Sequence, residues 1–151
     1  MVIRELTEDE CRQALERLGV GRLACARDNQ PYIVPIAFSC DGRHLYGFST
    51  PGQKIEWMRA NPLVCVEVDE LTSRDQWMSV VVFGRYEELP DTPKHAADLA
   101  RAQQVLRASW WEYTSIPGAE WRRKAGPFTP VFYRIHVDNL TGHQATPAKP
   151  A

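Results

Sequence analysis

Val64-Cys65-Val66-Glu67-Val68-Asp69 alternates valines with a cysteine and two acids. A period of two marks a strand with one face in a core. The same period returns near the end of the chain, where Val131, Tyr133, Ile135 and Val137 alternate with Phe132, Arg134 and His136. Four more runs read as strands: Val20 to Arg27, Pro31 to Cys40, His44 to Phe48, and Trp77 to Leu89 with a bulge expected at Gly84. Asp28-Asn29-Gln30 and Asp41-Gly42 are turns of hairpin length. Strands outnumber helices and do not alternate with them, which argues against a parallel doubly wound sheet. The pattern predicts a mainly β (α+β) fold, a small six-stranded antiparallel barrel with three peripheral helices.

The first helix starts at Leu6-Thr7-Glu8-Asp9-Glu10. Thr7 and Glu10 suit a capping box, acids fill the first turn, and Leu6 can staple onto Cys11. Cys11, Ala14, Leu15 and Leu18 then recur at helical spacing up to Gly19. The last helix starts at Thr92-Pro93 and lines Leu99, Ala102, Leu106 and Trp110 on one face. The middle one, about Gly52 to Ala60, follows directly from a strand at Ser49-Thr50-Pro51-Gly52-Gln53-Lys54. Thr50 is a good N-cap, Pro51 fits the first helical position, and Gln53 completes a capping box. Backbone N–H groups at a helix start attract anions, and Lys54 adds a cation, so the stretch is a candidate phosphate seat. A well-capped helix with no ligand reads equally well, because a complete capping box occupies donors that an anion needs. Pro35 lacks a ladder donor and belongs at an edge, a bulge or a break in pairing. A break would bare backbone groups to the polar rim of a planar ligand; a plain edge strand explains it as well.

A net charge of −1 gives no basic excess for nucleic acid. No apolar run approaches the ~20 residues that span a bilayer, and Met1 to Glu10 is too mixed and acidic for a signal peptide. The expectation is a soluble cytoplasmic protein with no nucleic-acid or membrane partner. Cys11, Cys25, Cys40 and Cys65 match no zinc spacing and read as reduced thiols; the four histidines are scattered, and no metal site is expected.

Four pieces of the chain, in order, carry a family resemblance. They are Gly21-Arg22-Leu23-Ala24 with Pro31-Tyr32-Ile33-Val34-Pro35-Ile36; Leu45-Tyr46-Gly47-Phe48-Ser49-Thr50-Pro51-Gly52-Gln53-Lys54 running on to Asn61-Pro62 and the valine strand with Glu67; Ser79-Val80-Val81-Val82-Phe83-Gly84-Arg85; and Tyr133-Arg134-Ile135-His136-Val137 leading to Thr141-Gly142. Together they resemble the flavin-binding split-barrel proteins related to pyridoxamine 5′-phosphate oxidase, in the branch that includes the nitroimidazole-resistance proteins. The length suits one domain over residues 1–143, and Pro147 and Pro150 mark a flexible tail at 144–151. The resemblance implies a homodimer that holds FMN in clefts at the subunit interface. Val34, Pro35, Ile36 and Ala37 would line the isoalloxazine through their backbone, and Phe48, Ser49 and Thr50 would follow the flavin toward its phosphate. Lys54, with Gln53 beside it, would meet that phosphate, and Ser79 matches a polar position near the flavin. Trp77 and Trp111 are candidates for a substrate pocket, with strand anchoring and packing as their ordinary roles.

Phe48 stands where many relatives carry a histidine, and the oxidase's C-terminal tryptophan and arginine signature is missing. No catalytic side chain is assigned. The implied activity is an FMN-dependent oxidoreductase acting on a small organic substrate. Its rivals are a non-catalytic flavin- or nucleotide-binding module, used for storage or sensing, and a relative that holds haem or a deazaflavin.

Overall fold

In the computed structural model, which describes residues 1–114 and 130–150, with side chains to residue 108 and from residue 130, eight strands and three helices follow one another irregularly. The chain runs β1 (Val2–Glu5), α1 (Glu8–Leu18), β2 (Val20–Arg27), β3 (Gln30–Ala37), β4 (Ser39–Cys40), β5 (His44–Ser49), α2 (Gln53–Ala60), β6 (Leu63–Ser73) and β7 (Gln76–Glu88). A short 3-10 turn (Pro93–His95), α3 (Ala96–Thr114) and β8 (Val131–Thr146) complete it.

Local chemistry explains most of these boundaries. The Thr7–Glu10 capping box forms, and Gly19 ends α1 at φ 64°. Asp28 and Asn29 both take positive φ, as a tight turn between β2 and β3 requires. Asn61 closes α2: its N–H donates to Trp57 O at 2.8 Å, and its side chain donates to Ala26 O. Pro62 follows, disfavouring helical geometry at the residue before it.

All strand pairings are antiparallel, in the order β3-β2-β6-β7-β8-β5-β4, and β1 pairs with the far end of β8. The expected six-stranded split barrel is therefore not what the chain forms. Among the described residues there are eight strands, and their sheet is an open path that ends at β3 and at β4. Pro31 and Pro35 remove two donors from β3, and β4 is two residues long, so these ends lack the ladder that closure needs. The run from Pro31 to Cys40 is cut at Phe38, whose buried ring and N–H bond to Gly19 O (2.9 Å) turn the chain between partners. Strand β1 has no alternation in its burial and left no periodic signal. Strand β6 runs on through residues 70–73, beyond the Val64–Asp69 alternation, and residues 144–146, expected in the tail, belong to β8.

The inner face of the sheet supplies Leu23, Val66, Val68, Val80, Val82 and Ile135, all fully buried. Helices α1 and α2 cover it with Cys11, Ala14, Leu15, Ile55 and Met58. Each Val, Leu, Ile or Met among them contributes about 1.5–3 kcal/mol on burial. The bulge expected at Gly84 is present: the β7–β8 register shifts between Phe83 and Gly84. A Cβ on Gly84 would lie 2.4 Å from His136 O, so the strands approach here only because the side chain is missing.

Helix α3 packs on a second apolar cluster, Leu99, Ala102 and Leu106 against Tyr46 and Leu89. A polar network borders it. Arg134 donates to Glu87 Oε1 at 2.8 Å and to both oxygens of Asp98 on α3 at 3.0 and 3.2 Å. His136 Nε2 lies 3.1 Å from Glu87 Oε2, and its Nδ1 lies 3.1 Å from His44 Nε2. Since the carboxylate only accepts, the neutral imidazole of His136 donates its Nε2–H to Glu87 and accepts the His44 Nε2–H at Nδ1. Asp41 accepts from the Tyr46 hydroxyl at 3.1 Å and lies 3.8 Å from Arg101 of α3. Burial holds the His44 imidazole below the ordinary histidine range, helped by the nearby Arg134 charge. Burial alone would raise Glu87, but hydrogen bonds from His136 and Arg134 outweigh it and hold the carboxyl below its usual range.

Two predictions follow from this packing. A histidine whose folded pKa is depressed contributes stability that is fully present above the unfolded value, about 6.5, and is lost as pH falls below it. The depressed Glu87 carboxyl works in the same direction at lower pH. Urea-unfolding stability should therefore decline on acidification from about pH 7 to 5, and His44→Gln should flatten that decline. Gly84→Ala should destabilise the protein by about 1–3 kcal/mol, read as a lower urea midpoint with an unchanged slope.

Candidate functional site

Strand β5 ends at Ser49 and α2 begins at Gln53, and the turn between them differs from the expected one. Gly52, in extended backbone, is the N-cap, and no side chain caps the helix. Thr50 and Gln53 do not close a capping box, because the chain stays bent through Pro51 and Gly52 before the helix starts. Ser49 Oγ instead donates to Thr50 O at 3.0 Å. The first N–H groups of α2 thus keep the freedom to bind that a capping box would have removed.

Beside this turn lies a cleft of about 170 Å³, lined by Pro35, Ile36 and Ala37 of β3, Phe48 of β5, Lys54 of α2 and Tyr133 of β8. Five of these six residues are ones the resemblance singles out. Pro35 sits on the edge strand, opposite Arg22 of β2. Lys54 is half-buried and makes no ion pair or hydrogen bond among the described residues. Phe48 is 44% exposed and packs on Phe132 with ring centroids 5.8 Å apart. Val34 packs toward the core instead of into the cleft, and Ser49, Thr50 and Gln53 border the cleft without lining it.

Tyr133 is the residue that sequence reasoning missed as a site residue. Its alternation placed it in the core, and its side chain is 1% exposed. Its partner across the ladder is Gly47, where a Cβ would meet the ring Cζ and the hydroxyl at 2.7 Å. The ring lies over a strand position that only glycine can hold open. Burial pushes the phenol up to about 12, so it stays protonated at any physiological pH.

Ser79 and Trp77 lie elsewhere, in a groove of about 310 Å³ with Glu67, Asp69, Glu70, Leu71 and Met78. Within one chain the structure does not bring them to the β3–α2 cleft. The Trp111 side chain lies outside the described residues. Arg22 pairs with Asp69 at 3.1 Å, and Arg134 is held by Glu87 and Asp98, so both arginines balance acids. His44 and His136, far apart in sequence, meet across β5 and β8. Three of their four ring nitrogens are engaged in the His44–His136–Glu87 chain, which leaves little for ligation of haem iron. Burial raises all four thiols, so none is set up as a thiolate nucleophile. Among the described residues no three His, Cys, Asp or Glu side chains are grouped to hold a metal, and no helix is long and apolar enough to cross a membrane.

The chain can now be set beside known proteins. A family model described as pyridoxamine 5′-phosphate oxidase matches residues 7–144. An uncharacterized protein of Rhizobium meliloti is 40% identical over 96% of this chain and 97% of its own length. The crystal structure of a FAD-binding protein of Mesorhizobium loti is 44% identical, with a TM-score of 0.75, over 97% of this chain and 99% of that one. The FAD-binding protein of Mycobacterium smegmatis shares the fold at 24% identity, with a TM-score of 0.66 over 97% and 99% of the two chains. The arrangement of strands and these matches agree: the chain belongs to the pyridoxamine 5′-phosphate oxidase family.

Proposed function

We propose that this protein is a flavin-dependent oxidoreductase, acting on a small organic substrate, whose flavin lies in the β3–α2 cleft of one chain and is covered by a second copy. The observation that carries the reading is Lys54, a half-buried cation without an ion pair among the described residues, at the start of a helix that no side chain caps. A phosphate group matches both features, because the helix start offers N–H donors and the lysine a charge. The bare backbone of Pro35, Ile36 and Ala37 on an edge strand suits the polar rim of a flat ring, and Phe48 supplies an apolar wall. These residues fit a flavin. The reading covers the part that FMN and FAD share, namely the ring, the ribityl chain and the first phosphate.

Two features support a second copy. Pockets that enclose a ligand usually measure about 300–1,000 Å³, and the cleft of about 170 Å³ falls short of that. The outer face of the sheet also carries an apolar row, in which Ile33 stands opposite Ala24, Ala24 opposite Cys65, and Cys65 opposite Phe83. Ile33 is 63% and Phe83 45% exposed. Joining two chains on this face would cover the row and offer the Trp77–Ser79 groove of one copy to the cleft of the other.

Bound flavin supplies the transfer of hydride or electrons. The chain's own work is to hold it: Lys54 and the α2 amides fix the anionic end, the β3 backbone fixes the ring, and Phe48 excludes water from one side. Among the described residues lining the cleft, Phe48 carries no titratable group, Tyr133 is a protonated phenol, and Lys54 is assigned to the phosphate, so none is given the role of general base.

Fluorescence-quenching titrations with FMN and with FAD test the reading. At least one should bind, and Lys54→Ala should weaken that binding by about 1.5–3 kcal/mol, roughly 10- to 150-fold. Failure of both flavins to bind would contradict it. An unchanged affinity in the variant would remove Lys54 from the phosphate site.

A further inference from the structure

The Tyr133 hydroxyl is the polar group in this cleft that the fold leaves without a use. The hydroxyl makes no hydrogen bond among the described residues. A buried phenol normally has a partner, since sealing an O–H from water without one costs free energy. Yet the hydroxyl is not sealed in. Among the described residues, Ser39 Oγ is the buried side-chain polar atom left without a partner, and the Tyr133 hydroxyl does not join it. The ring is almost wholly covered, so the hydroxyl's access runs through the cleft that Tyr133 lines.

Its position is fixed from three sides. The ring packs on Tyr86, with centroids 5.5 Å apart. The hydroxyl end lies over Gly47, the residue before cleft-lining Phe48, and not at some other part of the strand. Pairing of β8 with β5 sets this register along six residues, from His44–His136 to Ser49–Val131. The core therefore holds a protonated O–H donor rigidly at the cleft wall, in the same pocket as Lys54.

Resting on the flavin reading above, we infer that Tyr133 is a flavin-binding residue whose hydroxyl donates a hydrogen bond to an oxygen or nitrogen acceptor of the bound flavin. It is preorganised for this: the ring is locked by packing before the ligand arrives, so little rotamer freedom remains to be lost on binding. Gly47 is the positioning residue, because any side chain there would displace the ring.

Tyr133→Phe keeps the ring and removes only the donor. Two measurements on it separate the outcomes: flavin affinity by fluorescence quenching with FMN and FAD, and the urea midpoint of the flavin-free protein. The expected result is a flavin affinity weaker by about 5-fold or more, with a flavin-free midpoint equal to or above that of the wild type, because no internal hydrogen bond is lost. Gly47→Ala should weaken flavin binding as well, and should also lower the flavin-free midpoint. Unchanged flavin affinity in Tyr133→Phe, with the wild type binding normally, overturns the inference. So does a loss of affinity that comes with an equal loss of flavin-free stability, since that marks a structural hydroxyl. If the wild type binds neither flavin, the underlying reading falls and takes this inference with it.

Discussion

The register between β5 and β8 is the constraint on which the rest depends. It places four pairs opposite one another: His44 with His136, Tyr46 with Arg134, Gly47 with Tyr133, and Phe48 with Phe132. Side chains alternate across a strand, so these pairs fall on two faces. On one face the imidazoles and Arg134 form a ladder beside α3, Phe132 packs on the α3 cluster, and Phe48 also lines the cleft. On the other, Tyr133 crosses Gly47 to floor the cleft. A slip of one residue would exchange the two faces. It would move Tyr133 away from the cleft and Arg134 away from Asp98.

The same register ties the cleft to the stability of the fold. Strand β8 pairs with β7 along most of its length, with β5 through its first half and with β1 at its end. Tyr133 and Ile135 of β8 are among the most buried side chains in the core. The floor of the candidate site is thus drawn from the rigid part of the molecule. Lys54 and the uncapped start of α2 come from a bent connection, where the backbone is less constrained. A rigid floor beside an adaptable rim suits a ligand that is flat at one end and charged at the other.

Much of the fold was legible because its signals are local. The Thr7–Glu10 box, the turn at Asp28 and Asn29, the valine alternation and the Gly84 bulge each depend on neighbouring residues. What escaped reading depends on distant partners. β1 carries no alternation, since all four residues are exposed and only pairing with β8 makes it a strand. The barrel expectation failed at Pro31, Pro35 and Phe38, where missing donors and a buried ring leave the path open. The Thr50–Gln53 box failed because Gly52 took the cap position. For the site, Pro35 and Lys54 were visible as residues out of place on a strand and at a helix start. Tyr133 was hidden because an inward tyrosine on a period-two strand looks like any core residue until the glycine opposite it is known. The His44–His136 contact, 92 residues apart, was hidden for the same reason.

On the proposed reading, a cleft of this size, with Ser79 and Trp77 in a separate groove and an apolar row bare on the outer sheet face, is the part of a site that one chain supplies. The central claim is that two chains complete it. Native mass spectrometry of the purified protein, with FMN or FAD added, tests this most directly. The account predicts flavin on a species of two chains and none on the single chain. Flavin retained by a single chain, at the same occupancy as by any larger species, would contradict it.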